Sequence, residues 1–179
     1  MRIDQERINT IDHAVDELKL TTGLSYPENN LLQIASALGI TVSEVALPDY
    51  ENKKVKGYIK WFTPEEKKSK NTTCDAEIYI NSQQTPTVKN FTLAHELGHF
   101  LLHKNASSFR IDLQDYSAEG DPLNQETEAN YFAGSLLMPK EKLLKSFEKA
   151  NSLDEVAEMF AVSRPAVEAR VKWLGYKIS

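Results

Sequence analysis

The stretch FTLAHELGHFLLH, residues 91 to 103, constrains the fold more than any other part of the chain. Apolar residues (Phe91, Leu93, Ala94, Leu97, Phe100, Leu101 and Leu102) surround three histidines and a glutamate. A helix that is apolar on every side sits inside a core. Buried imidazole and carboxylate groups are costly unless something satisfies them, so the fold must provide a partner. His95, His99 and His103 recur every four residues and share one helix face. Two imidazoles one turn apart can hold a single metal ion, and Glu96 lies about 100° further round the helix. That position is too displaced for ligation but near enough to hold a water at the ion, so His-Glu-x-x-His combines two ligands with a general base. A set of hydrogen-bonded core histidines is the competing account, and the motif alone leaves it open. Gly98 costs about 1 kcal/mol relative to alanine within a helix, which is tolerable where another element must approach closely.

A catalytic zinc ordinarily takes three protein ligands and keeps one position open. His103 is a poor third ligand. It lies about 12 Å along the axis from His95, at 1.5 Å per residue, and one ion with bonds of about 2 Å does not span both. It is read instead as a hydrogen-bonding residue beside the site or a substrate contact. A histidine six positions after His99 would be another source, but that residue is Asn105. The donor must then come from a second helix. In ETEAN, residues 126 to 130, Glu126 and Asn130 share a face while Glu128 points elsewhere. Glu126 would supply a carboxylate, Asn130 would hydrogen-bond a ligand or meet the substrate, and Glu128 is the reserve ligand. Ala129, Phe132, Ala133, Leu136 and Leu137 would seat this helix on its partner. An acid near a helix N-terminus is favourable in its own right, so spacing does not separate the two roles of Glu126.

The rest of the chain reads as an α+β domain with a helical tail. Ile8, Ile11, Val15 and Leu18 mark an N-terminal helix, and NNLLQIASALG a second, opened by Pro27 and closed by Gly39. ITVSEVAL, KVKGYIKWF and CDAEIYIN read as strands, the last alternating Ala76, Ile78 and Ile80 on one face. TPEEKKSKNTT reads as a loop between strands, and residues 105 to 122 as a longer loop. The single cysteine, Cys74, allows no intrachain disulfide. The polar start and the lack of a long apolar run give the expectation of a cytoplasmic protein with no membrane partner.

SLDEVAEMFAVSRPAVEARVKWLG, from residue 152, has the outline of a helix-turn-helix. A net charge of -5 provides no surplus for phosphate neutralisation, and Asp154, Glu155, Glu158 and Glu168 offset Arg164, Arg170 and Lys172. Direct DNA binding is therefore disfavoured. A regulatory protein-binding or DNA-binding module acting without proteolysis is kept as the alternative function.

FTLAHELGHFLLH followed by ETEANYFAGSLLMP resembles the ImmA/IrrE family of bacterial zinc metallopeptidases, and the likeness extends over about residues 55 to 175. Gly134 stands where that family often has alanine, and Val88, Lys89 and Asn90 where it often has arginine. The resemblance implies a minimal zincin-like fold with a small, mostly antiparallel sheet. It implies a peptidase domain over 1–149, with N-terminal helices in 1–40 and the catalytic core in 41–149, then a helix-turn-helix-like segment over 150–179. It implies one Zn²⁺ held by His95, His99 and Glu126, with Glu96 as base. The implied activity is cleavage of a partner protein, such as a helix-turn-helix repressor encoded nearby, which relieves repression in mobile-element, phage or stress regulation. Two details remain expectations: strand Ala76–Asn81 pairing with an extended substrate, and His103 or Tyr131 as a further donor to the developing oxyanion.

Overall fold

The first helix begins where Asp4 accepts a hydrogen bond from the Arg7 amide and ends where Gly23 turns left-handed at φ 69°. The computed structural model describes residues 3–28, 30–49, 54–103 and 122–176. In chain order the elements are α1 (Gln5–Thr22), α2 (Leu31–Ala37), β1 (Ile40–Val45), β2 (Gly57–Trp61) and α3 (Pro64–Lys70). They continue with β3 (Ala76–Asn81), α4 (Pro86–Leu102), α5 (Pro122–Leu137), α6 (Lys140–Ser146), α7 (Leu153–Met159) and α8 (Arg164–Trp173). Helix α2 is opened by Asn30, whose side chain and that of Gln33 cap each other's backbone amides, rather than by Pro27. The loop expected over 105–122 lies outside the described residues, apart from Pro122, which begins α5.

The α+β class holds, with one difference in the sheet. Its order is β1-β3-β2, and the ladders are mixed rather than mostly antiparallel. β3 runs parallel to β1, from Ile40↔Ala76 to Val45↔Asn81, and antiparallel to β2, from Gly57↔Ile80 to Trp61↔Ala76. Parallel neighbours cannot be joined by a tight hairpin, and here the chain makes β2 and α3 before β3 returns between the two earlier strands. β3 is thus central, with both edges used, so it cannot take up a substrate strand. The outer edge of β2 has no ladder partner among the described residues.

The segment expected as a loop at Pro64–Lys70 is helical. Thr63 and Glu66 form a capping box, Pro64 stands at the first turn, and lysines fill the last turn against the helix dipole. It buries no residue, so no apolar periodicity announced it.

The alternation of β3 is real: Ala76 and Ile78 are fully buried and Ile80 nearly so. This face joins Ile11, Val15 and Leu18 of α1, Leu93 and Leu97 of α4, and Phe132, Leu136 and Leu137 of α5 in one core. Val156 of α7 and Val167 of α8 belong to the same cluster. Two glycines set close approaches. A Cβ on Gly57 would lie 2.6 Å from Thr92 Cγ2, so β2 runs directly over α4. A Cβ on Gly98 would lie 3.1 Å from Phe132 Cδ1 and 3.2 Å from Ala129 Cα, so α5 crosses α4 at the glycine. Among the described residues no helix is long and apolar enough to cross a membrane.

Candidate metal centre

Residues 92 to 100 of α4 are all buried, which makes it the central helix. His95 is 5% exposed, Glu96 2% and His99 3%. The α4–α5 crossing brings a carboxylate to the two imidazoles. His95 Nε2 and His99 Nε2 are 3.0 Å apart, and Glu126 places Oε2 3.2 Å from the first and Oε1 3.1 Å from the second. Ligand atoms bonded at about 2.0–2.1 Å in a tetrahedral shell lie about 3.3 Å from one another. The three groups therefore match the edges of such a shell to within a few tenths of an ångström. Glu126, a quarter exposed, is more accessible than either imidazole.

Hydrogen-bond partners assign the protons. Asn130 Oδ1 lies 3.0 Å from His95 Nδ1. An amide oxygen only accepts, so Nδ1 carries the proton and Nε2 presents a lone pair. Glu128 Oε2 lies 2.9 Å from His103 Nε2, which therefore donates. His103 Nδ1 is left as an acceptor, and His99 Nδ1, 3.0 Å away, donates to it. His99 Nε2 then also presents a lone pair. Two imidazole lone pairs and a carboxylate converge on one point with no proton between them, an arrangement that a cation satisfies and a hydrogen-bonded histidine core does not.

The electrostatics agree. Burial, aided by like charge from His95 and His103 and opposed by Glu126, pushes His99 from 6.5 to about 4, so its ring is neutral near pH 7. Burial opposes the charge on the Glu126 carboxyl, and with both ring protons on Nδ1 neither Nε2 donates to it. Neutral rings presenting lone pairs do not balance that carboxylate; a bound cation does. The residues fit a zinc-like ion: two nitrogens and one oxygen, the three-ligand donor set of catalytic zinc sites.

The other expected residues fall as follows. Glu96 is buried one residue from His95, in the middle of α4. Asn130 meets His95 and leaves Glu126 to the convergence point. Glu128 lies off that point, accepting from His103 and from Arg7. Neither expected oxyanion donor is placed for the role, since both nitrogens of His103 are engaged and the Tyr131 hydroxyl donates to Asp12. Arg7 escaped sequence reasoning because it stands 121 positions from Glu128, with no local pattern to link them.

Similarity to known proteins agrees with this geometry. Residues 35–172 match the peptidase family described as the IrrE N-terminal-like domain. A radiation response metalloprotease IrrE of Deinococcus deserti is 48% identical over 66 residues, 36% of this chain and 23% of that protein. Its namesake in Deinococcus radiodurans is 36% identical over 92 residues, 48% of this chain and 27% of that one. The matched part thus spans about a quarter of each metalloprotease. An uncharacterized immunity region protein 2 of Bacillus phage phi105 is 30% identical over 148 residues, 82% of this chain and 81% of its own length. With a central His-Glu-x-x-His helix, a crossing carboxylate and a family match across most of its length, the chain belongs to the IrrE N-terminal-like domain family of peptidases.

Proposed function

We propose that the chain is a zinc-dependent endopeptidase acting on a partner protein in the cytoplasm. The observation that carries this is the convergence of His95 Nε2, His99 Nε2 and the Glu126 carboxylate, with the buried Glu96 next to His95 on the same helix. When bound, the ion supplies Lewis acidity toward a water and a peptide carbonyl. Glu96 takes a proton from the attacking water and passes it to the departing amine. Asn130 and His103 hold the two imidazoles in the tautomer that faces the ion. The open edge of β2 accepts an extended substrate backbone by strand addition, and Gly57 lets that strand lie close over α4.

The substrate we propose is a transcriptional repressor of the helix-turn-helix kind, with cleavage relieving repression. The resemblance supports it, and so does the immunity-region name of the phage relative. Residues 1–149 would carry the peptidase machinery, and 150–179 would dock onto it or onto the substrate. DNA binding by α8 is poorly served. Arg164 is paired with Asp154 and Glu168, and Arg170 is buried at 3% exposure with Nε donating to the Met138 carbonyl. Among its basic residues this leaves Lys172 alone as an outward cation.

The test is Glu96→Gln, assayed with the repressor encoded next to the gene. Zinc content should match wild type while cleavage disappears. Undiminished cleavage would remove Glu96 from the mechanism, and a wild-type protein that takes up no zinc would remove the metallopeptidase reading.

A further inference from the structure

We propose that Arg7, on the first helix, is a positioning residue for the metal ligand His99, acting through Glu128 and His103. This rests on the zinc reading above and extends its site to α1, which precedes the residues matched by the family. Three contacts make the path. Arg7 Nη2 donates to Glu128 Oε2 at 2.5 Å, the same oxygen accepts from His103 Nε2 at 2.9 Å, and His103 Nδ1 accepts from His99 Nδ1 at 3.0 Å. The side chains grow more buried inward, at 34% exposure for Arg7, 13% for Glu128 and 4% for both His103 and His99.

Each link has a direction. A guanidinium only donates, so it fixes the carboxylate oxygen that faces His103 as an acceptor. His103 must then donate from Nε2, which leaves Nδ1 to accept. His99 must donate from Nδ1, and its Nε2 lone pair points at Glu126 and the ion. Without Arg7 the Glu128 carboxylate is free to turn toward water. His103 then loses its fixed tautomer, and His99 spends part of its time with a proton on Nε2, where it cannot ligate. A second tie keeps the register of α1: Asp12 accepts from Tyr131 and Ser135 of α5, both at 3.1 Å. Glu128 therefore meets Arg7 at a set height along α1.

Zinc affinity, measured by competition with a chromogenic chelator and no substrate, tests the path. Arg7→Ala and the similarly sized Glu128→Gln should each weaken zinc binding about tenfold, the low end for residues that orient a metal ligand. His103→Phe should weaken it by as much or more. Arg7→Ala added to His103→Phe should cost nothing further, because its effect runs through His103. In zinc-free protein, nitrogen-15 spectra of the imidazoles should show His99 as the Nδ1–H tautomer in wild type and a mixture in Arg7→Ala. Affinity within twofold of wild type for Arg7→Ala and Glu128→Gln would overturn the proposal, as would full additivity in the double variant or an unchanged His99 tautomer. A wild-type protein without zinc affinity would instead sink the metal reading, and the tautomer experiment would still judge the path.

Discussion

Replacing Gly98 with alanine adds one methyl group at the point where α5 crosses α4. That methyl would sit 3.1 Å and 3.2 Å from Phe132 side-chain atoms and 3.2 Å from Ala129 Cα. Carbon atoms prefer about 3.5–4.0 Å, so α5 must retreat by several tenths of an ångström. Phe132 and Ala129 are fully buried, so neither can swing out into solvent. Overpacking of this kind costs about 1–3 kcal/mol, while alanine returns about 1 kcal/mol of helix propensity. The net loss is about 0–2 kcal/mol, or a fall in melting temperature of a few degrees for a chain of this size. The site should suffer more. Glu126 rides on α5 one turn before Ala129, and its oxygens stand 3.1 Å and 3.2 Å from the imidazole nitrogens. Metal–ligand distances tolerate about 0.2 Å, so zinc affinity should fall at least about tenfold. Chelator competition and paired melts of the zinc-free and zinc-loaded protein measure both effects. A variant that melts higher than wild type and keeps its zinc affinity would refute the idea that this glycine sets the helix spacing.

Other expected outcomes are simpler. Glu126→Ala should abolish stoichiometric zinc binding while the zinc-free protein stays folded, which metal analysis and circular dichroism would check. Thr63→Ala should cost about 1 kcal/mol of capping and speed amide exchange within α3 alone; because α3 buries nothing, zinc affinity should not change. The zinc-free protein should lose stability as pH falls. His99 titrates near 4 in the fold against 6.5 for an ordinary imidazole, so between those values the unfolded chain takes up a proton that the native chain refuses. The loss begins near pH 6.5, grows to about 3 kcal/mol, and levels off below pH 4; denaturation melts from pH 7 to 4 would show it. Zinc should oppose this loss in the upper part of that range, because it binds the same unprotonated ring.

The candidate site was legible to different depths. The place of His95, Glu96 and His99 on one buried helix could be read directly, because spacing within a helix is a local property. Glu126 and Glu128 could not be separated with certainty. Both lie in the first turns of α5, and the choice depends on which face of α5 meets α4. The crossing at Gly98 makes that choice: it brings Glu126 to the imidazole pair and sends Glu128 to His103 and Arg7. The short helix at Pro64–Lys70 was missed for a different reason. Its stability comes from caps and end charges, and an apolar stripe is what a periodicity reading detects.

By itself the sequence determined which side chains share a face: two imidazoles a turn apart, a neighbouring acid, and an apolar row on β3. These follow from fixed repeats of 3.6 and 2 residues, which need no knowledge of the rest of the chain. Only the tertiary structure decided that β3 lies in the centre of a mixed sheet, that Glu126 meets the imidazole pair, and that Arg7, 121 positions away, pairs with Glu128. Those outcomes depend on which apolar faces bury one another across long sequence separations, and local spacing carries no information about that.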